Sequence, residues 1–124
     1  MEVVIDSHAL FWYLEEPKKL PTKIITLLDS ADLVVIPTIV LLELEYILAK
    51  KGFLGRFEEL LSELIENKTF SIHPLNTTVV KKYSSVTPNL EMHDRVILTT
   101  ALLLKVPILS KDPEIAKVYP RIIW

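Results

Sequence analysis

Four short segments of the chain centre on unbroken apolar residues: Val3-Val4-Ile5, Leu33-Val34-Val35-Ile36, Pro107-Ile108-Leu109-Ser110 and Arg121-Ile122-Ile123-Trp124. None alternates apolar with polar positions, so each predicts a strand covered on both faces. Phe70-Ser71-Ile72, just before Pro74, does alternate and predicts an edge strand. Helical spacing fills the intervals. It predicts helices over residues 9–16, 22–30, 38–51, 77–84, 91–105 and 113–118, and a further one carrying Phe57, Leu60, Leu61, Leu64 and Ile65 inward with Glu58, Glu59, Glu63 and Glu66 outward. Proline and glycine punctuate these elements. Pro17 ends the first helix, Pro21 opens the second, Thr38 is placed to cap the long apolar helix that Gly52 stops, and Pro113 begins the last.

Buried strands separated by helices are the mark of a parallel sheet covered on both sides. The fold class is therefore α/β, a Rossmann-like three-layer sandwich around a mostly parallel sheet of four to five strands. With 124 residues, no fixed-period repeat and no Ser/Gly linker, the chain reads as one domain.

Composition narrows the chemistry. The absence of cysteine excludes disulfides and thiolate metal sites, and three histidines leave little for an imidazole site. A membrane span needs roughly 18 or more apolar residues in a row; residues 39–42 stop at Glu43, and Thr99 and Thr100 interrupt residues 96–104. The first residues lack the basic leader and cleavage site of an export signal, so the expected location is cytoplasmic, with no membrane partner. A formal charge of −2 argues against binding nucleic acid through a diffuse basic surface, while leaving room for a local groove or for binding through metal ions. Two biases remain: an apolar share of 50%, which favours burial against a partner, and 11 Lys with 11 Glu against three Asn and no Gln, which leans towards a heat-adapted source.

In a sheet of this kind the site lies beyond the carboxyl ends of the strands, where strand order reverses. Asp6 directly follows the first strand and Asp112 follows Leu109 closely, so both are candidates. Glu43 has Ile39, Val40, Tyr46 and Ile47 three and four residues away, a stripe in which a lone carboxylate is expensive to bury. Asp94 stands likewise to Ile97 and Leu98. Glu45 has an equally apolar stripe, and periodicity alone does not separate it from Glu43; the two cannot share a helix face. Simpler roles exist for three of the acids, since Asp6, Asp94 and Asp112 each stand where a helix begins. An all-oxygen cluster suits Mg²⁺ or Mn²⁺, and such ions invite phosphodiester chemistry.

The order and spacing of these acids resemble those of the PIN-domain nucleases, especially the VapC-type toxins. The resemblance rests on Val3-Val4-Ile5-Asp6-Ser7-His8-Ala9-Leu10-Phe11-Trp12, on Ile36-Pro37-Thr38-Ile39-Val40-Leu41-Leu42-Glu43-Leu44, and on His93-Asp94-Arg95-Val96-Ile97 with Leu109-Ser110-Lys111-Asp112. It spans the whole chain and implies a single PIN-like domain over residues 1–124. It implies that Asp6, Glu43, Asp94 and Asp112 ligate Mg²⁺ or Mn²⁺, and it favours Glu43 over Glu45. Ser110 matches the family's hydroxyl residue and Ser7 the small residue after the first acid, both in supporting roles; Ser110 could equally cap the final helix. Glu91 is an extra carboxylate that reads as surface rather than outer shell. His8 and His93 receive no role. Phe11, Trp12 and Tyr13 read as core or subunit contact rather than a base-stacking platform, and Lys50, Lys51, Arg56 and Lys111 as solvating groups within possible reach of RNA phosphates.

The resemblance implies a metal-dependent endoribonuclease that hydrolyses RNA phosphodiesters with a metal-activated water, the toxin of a type II toxin–antitoxin pair. Its partners would be an RNA substrate, a second copy in a homodimer and a cognate antitoxin. Alternatives are a PIN-type RNA-processing nuclease without antitoxin, and an inactive PIN-like module that binds RNA or a protein. A phosphoacceptor signalling domain has similar length and class, but it wants paired acids after the first strand, where this chain has Asp6-Ser7-His8.

Overall fold

The computed structural model describes residues 1–124, the side chain of Leu54 excepted. Strands β1 (Glu2–Ile5), β2 (Leu33–Pro37), β3 (Phe70–His73), β4 (Ile108–Leu109) and β5 (Ile122–Ile123) form one sheet in the order β3-β2-β1-β4-β5, with every neighbouring pair parallel. Val3, Val4 and Ile5 are fully buried, as are Val34, Ile36, Ile108 and Leu109. That is why these segments carry no alternation: both sheet faces are covered. The edge strands β3 and β5 are only partly buried.

Helices α1 (Ser7–Glu15), α2 (Thr22–Ser30), α3 (Thr38–Lys50), α4 (Phe57–Glu66), α5 (Thr77–Tyr83), α6 (Met92–Leu104) and α7 (Pro113–Val118) make the crossovers. From β1 the chain steps outward through β2 to β3, then returns past β1 to β4 and β5. Right-handed crossovers in opposite directions send helices to opposite faces, which yields the three layers. The reversal falls between β1 and β4, whose register pairs Val4 with Ile108 and Ile5 with Leu109. Asp6 and Ser110, the next residues, therefore emerge side by side, and the Asp6 N–H donates to the Leu109 carbonyl (3.2 Å).

Three local details differ from the sequence reading. Helix α1 starts two residues earlier, because Asp6 accepts a hydrogen bond from the Ala9 N–H (2.9 Å) and so caps it. Thr38 does not cap α3; it is the first helical residue, and its hydroxyl donates to the His73 carbonyl (2.7 Å), tying α3 to the end of β3. Pro21 sits just outside α2 rather than at its first position. The two threonines inside α6 are buried, and each hydroxyl donates back along its own helix, Thr99 to the Arg95 carbonyl (2.6 Å) and Thr100 to that of Val96 (2.9 Å).

Candidate active site

Every candidate acid sits at or near a junction that the fold aims at the reversal point. Asp6 caps α1, Asp112 caps α7 by accepting from the Glu114 N–H (2.8 Å), and Asp94 lies in the first turn of α6. A helix-start role does not compete with a site role, for a capping carboxylate keeps an oxygen free. Glu43 comes from the middle of α3. Asp6, Glu43, Asp94 and Asp112 line one cavity of about 550 Å³, with Ser7 and Glu91 in its wall. Glu45 lines neither this cavity nor its neighbour.

The supporting hydroxyls are distributed as follows. Ser110 is buried behind Asp6 and hydrogen-bonds its carboxylate, while its oxygen accepts the Asp112 N–H (3.0 Å). One hydroxyl thereby fixes two of the acids. Ser7 is buried and faces the Glu43 carboxylate. His93, to which the sequence assigned no role, places Nδ1 3.2 Å from Glu43 Oε2 and 3.6 Å from Glu91 Oε1. Pairing with carboxylates puts a ring N–H on that side. Glu91 caps α6, accepting from the N–H groups of His93 (3.0 Å) and Asp94 (3.4 Å). Arg95 points away from the cavity: its guanidinium stacks over Tyr83 and donates to the carbonyls of Tyr83 and Val86, anchoring the segment that leads into Asp94.

The electrostatics are those of crowded, partly buried acids that outnumber the basic groups beside them. Burial pushes Asp6 above the usual carboxylate range, against the opposing pull of the Ser110 hydroxyl and the Ala9 N–H. Burial raises Glu43 too, with the charge and hydrogen bond of His93 resisting. Asp94 is pushed up to about 7, first by burial, then by repulsion from Asp112, Glu91 and Glu43. Glu43 Oε1 is buried and has no hydrogen-bond partner among the described residues. A buried, unpartnered carboxylate oxygen facing other acids wants a cation.

The donor set is oxygen alone and anionic, which fits a hard divalent ion. The carboxylates are gathered but not closed into a cage: no group of three or more His, Cys, Asp or Glu side chains is arranged to hold an ion among the described residues. This openness agrees with the habit of Mg²⁺, which keeps several waters and takes few protein ligands.

The chain's relatives bear on this cluster. The PIN domain family model matches residues 3–120. The chain belongs to the PIN-domain family. No curated protein sequence matches it. Among solved structures, a chain of VapBC2 from Rickettsia felis, bound to a DNA fragment from its promoter, resembles this PIN domain with a TM-score of 0.73 at 15% identity, covering 99% of this chain and 96% of that one. A toxin–antitoxin complex from Klebsiella pneumoniae matches with a TM-score of 0.72 at 17% identity, covering 98% and 96%. FitAB bound to the IR36 DNA fragment matches with a TM-score of 0.67 at 19% identity, covering 99% and 94%. These likenesses are of architecture, and the all-parallel five-stranded sheet flanked by helices is the PIN fold that such complexes contain.

Beside the acidic cavity runs a second, apolar groove of about 750 Å³, sharing Ser7, His8 and Glu43 with it and extended along α3 by Leu42, Tyr46 and Ile47. Of the basic residues singled out in the sequence, Lys111 lines the acidic cavity and Lys50 and Lys51 the groove. Arg56 lines neither and pairs with Glu15 (2.7 Å) and Glu59 (2.8 Å). Phe11 is core, as read, whereas Trp12 packs only partly on the core and also lines the acidic cavity, with Trp124 beside it. No helix among the described residues is long and apolar enough to cross a membrane.

Proposed function

We propose that this PIN domain is a Mg²⁺- or Mn²⁺-dependent endoribonuclease, the toxin of a type II toxin–antitoxin pair, which cuts single-stranded or loop RNA in the cytoplasm. The observation that carries the reading is the convergence of four carboxylates on one cavity at the switch point of the sheet, with Glu43 Oε1 buried and unpartnered. Asp6, Glu43, Asp94 and Asp112 would hold the ion, directly or through water. A bound divalent ion would supply charge neutralisation at the phosphate and a more acidic water. The chain's own contribution is placement. Ser110 holds Asp6 and the Asp112 backbone in one arrangement, and Ser7 and His93 orient Glu43. The positive ends of α1 and α6 moderate the repulsion that gathering these acids creates.

The apolar groove along α3 supports the antitoxin half of the reading. Leu42 and Tyr46 are exposed at 60% and 61%, next to the acids, and an apolar segment of a partner laid there would also close the cavity. A homodimer is expected as well.

The test is cleavage of RNA by the purified chain with Mg²⁺ or Mn²⁺, with EDTA, and in Asp6→Asn and Asp94→Asn variants. Activity should vanish in EDTA. Each variant should lose at least about 100-fold, since even the outer partners of a metal are worth about 10–100-fold. Activity that survives both EDTA and the substitutions overturns the assignment. A neighbouring small gene whose DNA-binding product co-purifies with the chain and stops cleavage distinguishes a toxin from an RNA-processing nuclease.

A further inference from the structure

The acidic cavity has a second wall, for which metal binding has no use. Trp12 and Trp124 meet there with ring centroids 6.0 Å apart and planes tilted by 59°, and the His8 ring stands 5.7 Å from Trp12. Lys111 Nζ lies 4.8 Å over the Trp12 ring. All four line the same cavity as Asp6, Asp94 and Asp112. They arrive from three distant places in the chain: α1, the β4–α7 connection and the residue after β5. Both indoles pack partly against the core and are not fully buried, so each keeps some surface on the cavity.

A cation with its waters needs no apolar wall, and about 550 Å³ is more room than it occupies. A flat, apolar, polarizable ligand does need such a wall, and unpaired nucleobases have that chemistry. The ammonium over Trp12 marks the ring face that is reachable from the cavity. A base that takes this place frees the ammonium for the adjoining phosphate, exchanging a cation–π contact for an ion pair.

We propose that Trp12 and Trp124, with His8 at the rim, form a stacking platform for one unpaired base of the RNA strand beside the phosphate held at the acids, and that Lys111 pairs with the neighbouring phosphate. The inference deepens the ribonuclease reading and rests on it. A base inside a duplex cannot offer its face, so the platform selects single-stranded or looped RNA. Stacking is tolerant of base identity, and the selection is for strandedness more than for sequence.

The experiment measures binding apart from cleavage. Short single-stranded oligoribonucleotides, intact or carrying one abasic position moved along the strand, are titrated in Ca²⁺ against wild type, Trp12→Leu and Trp12→Phe, following tryptophan emission and fluorescence anisotropy. Intact strands should quench the tryptophans. One abasic position should weaken binding by about 5–100-fold, the range of a single base–aromatic stack. Trp12→Leu should weaken the intact strand by a similar factor but leave that abasic strand as in wild type, and Trp12→Phe should restore most of the loss. In cleavage assays the Trp12→Leu loss should fall on KM rather than kcat. Equal affinity for intact and abasic strands, equal weakening of both by Trp12→Leu, or no RNA binding at all overturns the platform. Failure of the nuclease reading looks different: strands bind and quench, yet wild type cuts none of them in Mg²⁺ or Mn²⁺.

Discussion

Asp94 gathers the repulsion among the acids. It is half-buried, faces three other carboxylates, and holds its proton up to about pH 7 when no cation is present, against an ordinary value of 3.8. The sign of the consequence is definite. Between those two values the folded chain keeps a proton that the unfolded chain has released, so the penalty from Asp94 is absent below about pH 4, grows as pH rises, and is complete above 7. Melting curves in EDTA from pH 4 to 8 should show this decline. Asp94→Asn should remove much of it, leaving the same-signed shares of Asp6 and Glu43, and should melt above wild type at pH 8. Excess Mg²⁺ should raise the wild-type melting temperature at pH 8 and raise that of the variant less. Parallel curves for the two proteins would contradict the repulsion described here. Cleavage should correspondingly increase from pH 6 to 8, as protons cease to compete for the acids.

At the scale of elements, α6 shows how a helix is ended at the expense of strain. Lys105 closes it in the left-handed region (φ 59°), donating its N–H to the Ala101 carbonyl, while its own carbonyl accepts from Arg121 (2.8 Å). A non-glycine residue there costs about 1–2 kcal/mol, and glycine's extra freedom when unfolded takes back about 0.5–1 kcal/mol. Lys105→Gly should therefore stabilise the protein by about 0.5–1 kcal/mol, a rise of a few degrees in Tm on a calorimetric scan, with cleavage unchanged. Most elements were legible because their signals are local: the unbroken runs that became β1, β2 and β4, the stops at Pro17 and Gly52, the two-faced α4. What was not legible depended on partners distant in sequence. The Thr38 hydroxyl serves the His73 carbonyl rather than its own helix, and no local pattern contains that. Glu43 and Glu45 were inseparable because α3 is apolar nearly all round, with Ile39, Val40, Leu41, Leu44 and Leu48 buried. His93 acquires meaning only from α3, and Trp12 only from Trp124 at the far end of the chain. The candidate acids were legible from their places at strand ends and in apolar helix stripes, and the resemblance in their order along the chain chose Glu43 over Glu45.

For the whole molecule, the apolar share of 50% and the exposed Leu42, Tyr46, Ile65 and Met92 predict self-association. Sedimentation at micromolar concentration should give twice the 14.2 kDa of one chain; a single-chain mass would contradict the homodimer. The strand order has a consequence in time as well. β1 is central and made first, but its second neighbour, β4, lies near the other end of the chain. A ribosome adding about 5–20 residues per second needs roughly 5–20 s to bridge that interval. Asp112 comes later still, so the four acids can meet only after residues 6–112 have all been made. The proposed nuclease site is thus one of the last parts of this domain to be completed during synthesis, and any shorter nascent chain lacks it.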